Sequence, residues 1–161
     1  MSPGVPVRRI VSGGQTGADR AALDVARAWE MASGGYVPAG RLAEDGRIPD
    51  VYVNLVETST DDYAERTRLN VLHSDGTLIL SHGVLSGGSQ FTWRFANEAR
   101  KPCRHLDFNR LTMRAAVADV ERWLIDTAIV TLNVAGPRAS HDPRIYAATF
   151  ALLSGVLGRG M

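Results

Sequence analysis

The sequence has few of the residues that several kinds of functional site require. Its one cysteine, Cys103, excludes an internal disulfide and any structural zinc site with two cysteine ligands. Its one lysine, Lys101, leaves little basis for Schiff-base or P-loop chemistry. The four histidines form no pair three or four residues apart, so no helical zinc motif is present. We therefore expect no metal site.

Long apolar runs and a charge excess are also missing. No run of about 18 apolar residues occurs, and residues 1–6 are not followed by the apolar segment of a signal peptide. The net charge is only +1, whereas a protein that grips nucleic acid normally carries a clear basic excess. These features predict a cytoplasmic protein with no membrane or nucleic-acid partner. The length predicts one domain, residues 1–161.

Strand-like and helix-like segments alternate along the whole chain. The predicted strands cover residues 8–12, 34–38, 77–80, 103–106 and 129–134. The predicted helices cover residues 18–30, 61–73, 90–100, 113–124 and 144–157. Residues 39–59 are predicted to form a long polar loop. The alternation predicts a single α/β domain with a mostly parallel sheet.

The last predicted helix is apolar on two sides. Ile145, Leu152 and Val156 fall on one side, and Phe150 and Leu153 on another. A helix of this kind needs more than one packing partner. That second partner is either the chain's own core or another copy, and we expect a homo-oligomer, a dimer or a tetramer.

Three loops of unusual composition are expected at the sheet edge where the carboxyl ends of the strands meet, which is where parallel sheets bind ligands. The first loop follows the first strand and comprises Gly13, Gly14, Gln15, Thr16, Gly17, Asp19 and Arg20. Its glycines would let backbone N–H groups at a helix start approach an anion. The loop is not a dinucleotide fingerprint, because Ser12 stands at the first glycine position, and no lysine follows to make it a Walker A loop.

The second loop is another potential anion cradle before a helix, and its candidate residues are Ser86, Gly87, Gly88, Ser89 and Thr92. The third loop follows the last strand and contributes Asn133, Gly136 and Arg138. Each loop alone could be a simple turn. Together they predict an elongated small-molecule ligand with at least one phosphate or oxyanion, for which arginine is a suitable partner.

The predicted helix at 61–73 carries a stripe of uncharged polar side chains. Tyr63, Thr67, Asn70 and Ser74 lie within about 60° of one another on an ideal helix. Because a solvent-facing side usually carries charges, this stripe is predicted to line a cleft. Asp75 follows in a position typical of a turn and is kept as a further candidate binding residue.

Catalytic constellations are not visible in the sequence. The glycine-rich loops lack the G-x-S-x-G elbow of a serine hydrolase. Cys103 is more typical of a small core residue than of a nucleophile. Asp19 or Glu98 could serve as a general base, but no partner is indicated. The residues therefore predict binding chemistry and no catalytic residue.

Residues 12–24 resemble the opening of the molybdenum cofactor carrier proteins, in the circularly permuted YpsA-like branch of the SLOG Rossmann-like superfamily. The resemblance continues through residues 35–38, 40–41, 43–49, 63–67, 70, 74–79, 87–89, 101–102 and 133–138. It implies a Rossmann-like three-layer fold, an oligomer, and a protein that binds and protects molybdenum cofactor (molybdopterin). That cofactor is a pterin with a terminal phosphate whose dithiolene holds the metal, so its carrier needs no Cys or His ligand.

For the ligand that the resemblance implies, we hypothesise roles for the candidate residues. The phosphate is assigned to residues 13–17 or 87–89, and Thr67, Asn70 and Arg138 to the pterin or the oxo end. Molybdate, tungstate or a nucleotide are alternative ligands, and molybdoenzymes or cofactor-synthesis proteins are the protein partners considered. The alternative function is an enzyme or sensor acting on a nucleotide-derived ligand, including N-glycosidic hydrolysis. The hydrolytic branch of the superfamily has a P-G-G-x-G-T-x-x-E loop, and residues 86–92 lack its glutamate.

Overall fold

The central sheet of the computed structural model, which describes residues 4–158, has six strands, and every neighbouring pair is parallel. The strands along the chain are β1 (Arg9–Val11), β2 (Ala32–Val37), β3 (Leu42–Ala43), β4 (Gly46–Arg47), β5 (Leu55–Glu57), β6 (Gly76–Ser81), β7 (Cys103–Asp107) and β8 (Thr131–Ala135). Their order in the sheet is β5-β2-β1-β8-β6-β7, while β3 and β4 form a separate antiparallel hairpin.

Helices cover both faces of this sheet. They are α1 (Ala18–Ala28), α2 (Tyr63–Leu72), α3 (Gly87–Glu98), α4 (Met113–Asp126) and α5 (Ile145–Leu157). On one face α5 packs between α1 and α4, and on the other α2 packs against β2 and α3. The prediction of one α/β domain with a Rossmann-like, three-layer arrangement and a mostly parallel sheet is confirmed.

Hydrophobic burial explains why the central strands read as continuous apolar runs. Every residue of β6 is buried, because helices cover it on both sides. On the α1–α4–α5 face, Ile10, Leu78 and Leu132 pack with the apolar faces of the three helices in one core cluster. The first turn of each strand-following helix is therefore fixed beside the sheet edge that the sequence predicted to bind ligand.

The predicted loop at 39–59 is wrong in part. It contains a short 3-10 turn, Ala39–Arg41, the β3–β4 hairpin and the edge strand β5, which pairs in parallel with β2. These strands have only two or three residues each, too few to show a period in the sequence. Helix α3 also begins at Gly87, three residues before the predicted start.

Helix α5 finds both of its packing partners inside the chain. Ile145, Leu152, Leu153 and Val156 are all buried in the core shared with α1 and α4, and Phe150 packs against it. The two-sided apolar pattern is therefore explained without a second copy. The homo-oligomeric state remains a prediction, and the apolar pattern of α5 is not an argument for it.

Candidate functional site

A cleft of about 410 Å³ opens at the carboxyl edge of the sheet. The loops after β1, β6 and β8 border it on the sheet side, and α2 and the start of α3 complete its wall. These three strands are neighbours in the order β1-β8-β6, so their loops converge. A volume in this range suits a small-molecule ligand.

The start of α3 offers unpaired backbone donors to the cleft. Ser86 stands at the N-cap, but its side chain makes no capping hydrogen bond. The N–H of Gln90 bonds back to the carbonyl of Ser86, whereas the N–H groups of Gly87, Gly88 and Ser89 have no acceptor among residues 4–158. A Cβ added at Gly87 or Gly88 would meet nothing within 4 Å. Free amides and the positive end of the helix dipole make this turn suitable for an anion.

Two arginines add positive charge to the same cleft. The guanidinium groups of Arg138 and Arg66 lie 5.3 and 5.6 Å from the ring centroid of Tyr63, which lines the cleft. Among the described residues, the ion pairs of these two arginines are a 3.9 Å contact of Arg138 with Glu44 and a 3.4 Å contact of Arg66 with Asp19. Because neither arginine is held by a close bidentate partner, both can bind a phosphate or another oxyanion.

The first glycine-rich loop does not present to the cleft the free amides that the sequence suggested, because its two N–H groups without an acceptor among residues 4–158 belong to Gly13 and Gly17, which do not line the cleft. The N–H of Gly14 donates to Ser12 Oγ, that of Gln15 to Asp19 Oδ2, that of Thr16 to Gln15 Oε1, and that of Ala18 to the carbonyl of Pro137. This loop is an internally bonded turn, so of the two predicted cradles the start of α3 is the one with donors to spare.

Asp19 is a buried carboxyl group in the wall of the cleft. Its Oδ2 accepts long hydrogen bonds from the N–H of Gln15, at 3.3 Å, and from Arg66, at 3.4 Å. Burial raises the pKa of Asp19 above its ordinary value, and the charge of Arg66 opposes that rise. The carboxyl is therefore poorly stabilised as an anion by the protein alone.

The β3–β4 hairpin ties two of the cleft's loops together through Glu44. Its carboxylate accepts hydrogen bonds from the hydroxyl of Thr16 in the first loop and from the N–H and hydroxyl of Ser140 in the third. Next to it Asp45 pairs with Arg20 at 2.7 Å. The hydrogen bonds from Ser140 and Thr16 hold the pKa of Glu44 below its ordinary value.

We expect Glu44→Gln to destabilise the protein near neutral pH by about 1 kcal/mol or less, the usual range for an exposed charged contact. Because the pKa of Glu44 is lowered by folding, its carboxylate contributes stability above the unfolded-state pKa and loses it as the pH falls through the folded-state value. Urea unfolding of both proteins from pH 7 to pH 3 should show the difference shrinking with acid. A difference that stays constant with pH would contradict this role.

His82 and Asp142 form a pair that the sequence did not predict. Nδ1 of His82 lies 2.6 Å from Oδ2 of Asp142, and the ring packs on Phe108. Both residues line the cleft, and Nε2 of His82 has no partner among the described residues. The carboxylate orients the ring, so this pair can accept or donate a proton in the cleft.

Ten of the predicted binding residues line the cleft, namely Gln15, Asp19, Thr67, Ser86, Gly87, Gly88, Ser89, Thr92, Gly136 and Arg138. Four other predicted binding residues belong to the first loop but do not line the cleft, namely Gly13, Gly14, Thr16 and Gly17. Arg20 also lies behind it, bonding the carbonyl of Gly14 and Asp45. At Gly17 and Gly136 the missing Cβ allows close backbone packing, because an added one would lie 2.4 Å from Pro137 O and 2.7 Å from Leu80 O.

The structure places three predicted binding residues away from the cleft. The side-chain amide of Asn70 hydrogen-bonds both the N–H and the carbonyl of Tyr36 in β2. Of the polar stripe, therefore, only Tyr63 and Thr67 line the cleft. Asn133 is buried inside the sheet and bonds Thr77. Asp75 lies at the opposite sheet edge, where it accepts the N–H groups of Val130 and Thr131.

The two acid–base candidates fare differently. Asp19 lines the cleft, but Glu98 is the last residue of α3, exposed at the far end from the free amides. A group there cannot reach a ligand bound at the helix start. Burial also raises the pKa of Cys103 to about 12, so its thiol stays protonated at neutral pH.

Arg66, His82 and Asp142 are the cleft residues that sequence reasoning missed. Arg66 lies three residues after Tyr63, so the same helical stripe could have included it. The His82–Asp142 pair joins residues 60 apart and leaves no local signal. Within residues 4–158 no group of three or more His, Cys, Asp or Glu side chains could hold a metal ion, and no helix there could cross a membrane.

Comparisons with known proteins agree with this architecture. The model of the circularly permuted YpsA SLOG family matches residues 10–157. A crystal structure of a protein named "Putative molybdenum carrier protein", from Syntrophus aciditrophicus SB, is 52% identical in sequence. The match covers 95% of this chain and 96% of that one, with a TM-score of 0.93. A comparison with curated proteins gives no match.

Proposed function

The chain belongs to the circularly permuted YpsA SLOG family, and from this premise we propose that its cleft holds and protects molybdenum cofactor without converting it. The resemblance found in the sequence is confirmed, and the family and the similar solved structure support a ligand-binding role. The carrier role is the proposal, because the protein of 52% identity is named as a molybdenum carrier.

One observation carries the proposal: the three unpaired N–H groups at the start of α3 share a cleft with Arg138 and Arg66. A terminal phosphate on those amides is held by charge-assisted hydrogen bonds, which are stronger than neutral ones. The arginines then bind other oxygens of the ligand. The cofactor brings its own metal ligands, so the protein needs to supply only charged and hydrogen-bonding groups, which the cleft contains.

Retention of the ligand separates this role from others. Purified protein is mixed with molybdenum cofactor, passed through a desalting column, and assayed for molybdenum and pterin. We expect about one equivalent of each to remain, unchanged in chemical form. Loss of the cofactor at micromolar protein concentration would contradict the proposal, and so would release of a modified pterin.

The His82–Asp142 pair favours a second candidate, an enzyme that acts on a nucleotide-derived ligand. An oriented imidazole with a free Nε2 in the cleft is the group that general acid–base catalysis requires. Incubation with nucleoside monophosphates distinguishes the two functions. Release of free base or inorganic phosphate by the wild type, and its loss in His82→Gln, would establish the enzyme and overturn the carrier. The recipient of a carried ligand, a molybdoenzyme or a cofactor-synthesis protein, belongs to the carrier proposal, as does a homo-oligomeric state.

A further inference from the structure

Gln15 has a side-chain donor that no residue in the described part of the chain accepts. Its Oε1 accepts the N–H of Thr16 at 3.0 Å and the N–H of Glu44 at 2.9 Å, and these two bonds fix which way the amide faces. Its Nε2 is buried and has no partner within residues 4–158, although the residue lines the cleft and is only 5% exposed. A buried donor without an acceptor is unfavourable, so this one points to a ligand.

Arg66 and Asp19 lie beside Gln15 and also have hydrogen-bonding capacity that no described residue uses. Nε of Arg66 is buried and has no partner among the described residues. Within residues 4–158, Oδ2 of Asp19 accepts only two long hydrogen bonds and Oδ1 accepts none, although the residue is only 3% exposed. The deep end of the cleft therefore combines two unused donors with one carboxyl group that has unused acceptor capacity.

We infer that Asp19, Gln15 and Arg66 form a second subsite that reads the 2-amino-4-oxopyrimidine edge of a heterocycle, the edge that pterins and guanine share. On that edge an exocyclic amine and a ring N–H lie side by side and can both donate to one carboxylate. The neighbouring ring carbonyl accepts from the amide of Gln15 or the guanidinium of Arg66. Adenine presents an unprotonated ring nitrogen and no carbonyl there, so it would leave the groups of the subsite unpaired.

The distance between the two subsites fits such a ligand. The first loop follows β1 and the free amides follow β6, and the single strand β8 lies between them. Two strand spacings separate the loops by about 10 Å. That is the span of a heterocycle joined through a sugar or a fused ring to a phosphate. The placement of the ligand's phosphate rests on the proposed function. The inference adds the chemical identity of the ligand's other end.

The test compares phosphates that differ only in the ring edge. Equilibrium dialysis at low salt measures binding of GMP, IMP, AMP and a pterin monophosphate to the full chain. We expect GMP and the pterin to bind at least about tenfold more tightly than AMP, with IMP, which lacks the amine, in between. Whichever of GMP and the pterin monophosphate binds more tightly shows whether the subsite prefers guanine or pterin. Tighter binding of either one supports the subsite.

Two variants assign the preference to these side chains. Asp19→Asn keeps the size of the side chain but puts an amide where two donors of the ligand need an acceptor. Gln15→Glu still accepts the N–H groups of Thr16 and Glu44 but lacks the free donor. In each, the ratio of GMP to AMP affinity should fall toward one; thermal unfolding checks that each is folded. Equal binding of GMP and AMP by the wild type would overturn this subsite alone. Failure of every monophosphate to bind would overturn the proposed function and this inference with it.

Discussion

Replacing Gly88 by aspartate will weaken binding of phosphate-bearing ligands by at least about 30-fold, which corresponds to about 2 kcal/mol. The new carboxylate would stand over the free N–H groups of Gly87, Gly88 and Ser89, where it competes with the ligand and repels its charge. Loss of one or two charge-assisted hydrogen bonds is enough for an effect of this size.

The folded state should tolerate the same change well. A Cβ at position 88 meets nothing within 4 Å, and Gly88 is not among the residues with a positive φ. A negative charge in the first turn of a helix is favourable, and aspartate has a higher helix propensity than glycine. We therefore expect unchanged or slightly higher thermal stability together with the loss of binding, a combination that general damage to the fold cannot produce.

Gly88→Asn is the matched control, because it has the same shape without the charge. Isothermal titration with the cofactor, or with a nucleoside monophosphate, should show a much smaller loss for asparagine than for aspartate. Equal losses would mean that bulk alone blocks the site. Undiminished binding in Gly88→Asp would place the anion elsewhere and would remove the central support of the proposed function.

The architecture was predictable because it depends on patterns that the sequence displays directly. Apolar spacing marked α1, α4 and α5, and the continuous apolar run at 77–80 marked β6, the strand buried on both faces. The parallel topology then placed the loops after β1, β6 and β8 at one edge. The cleft follows from these facts without any knowledge of side-chain contacts.

The chemistry of the cleft was less predictable because it depends on contacts between distant residues. Both glycine-rich loops look alike as sequences, yet among the described residues only the second presents free amides to the cleft. In the first loop Asp19 and Gln15 turn back to accept the N–H groups of Gln15 and Thr16, whereas Ser86 at the second does not cap its helix. The choice between such local hydrogen bonds is made by the surrounding structure.

A second large effect is expected where β2 passes the base of the first loop. Gly35 is buried in β2 with φ of +135°, and a Cβ there would lie 2.2 Å from the carbonyl oxygen of Ser12 and 2.9 Å from its nitrogen. Both neighbours are backbone atoms in a paired region of the sheet and cannot swing aside. Gly35→Ala should therefore lower the free energy of unfolding by more than about 4 kcal/mol, the range of severe core disruptions.

Gly46→Ala separates this steric effect from the cost of the backbone conformation. Gly46 also has a positive φ, of +112°, but it lies exposed in the β3–β4 hairpin with nothing within 4 Å of an added Cβ. Its substitution should cost about 1–2 kcal/mol, the penalty for an L-residue in such a conformation. Urea unfolding curves of the two variants give both values. Similar losses of stability in the two variants would show that β2 can move away from Ser12. Because Ser12 Oγ hydrogen-bonds the carbonyl of Asp19 and the N–H of Gly14, such movement would also loosen the wall of the cleft and weaken ligand binding.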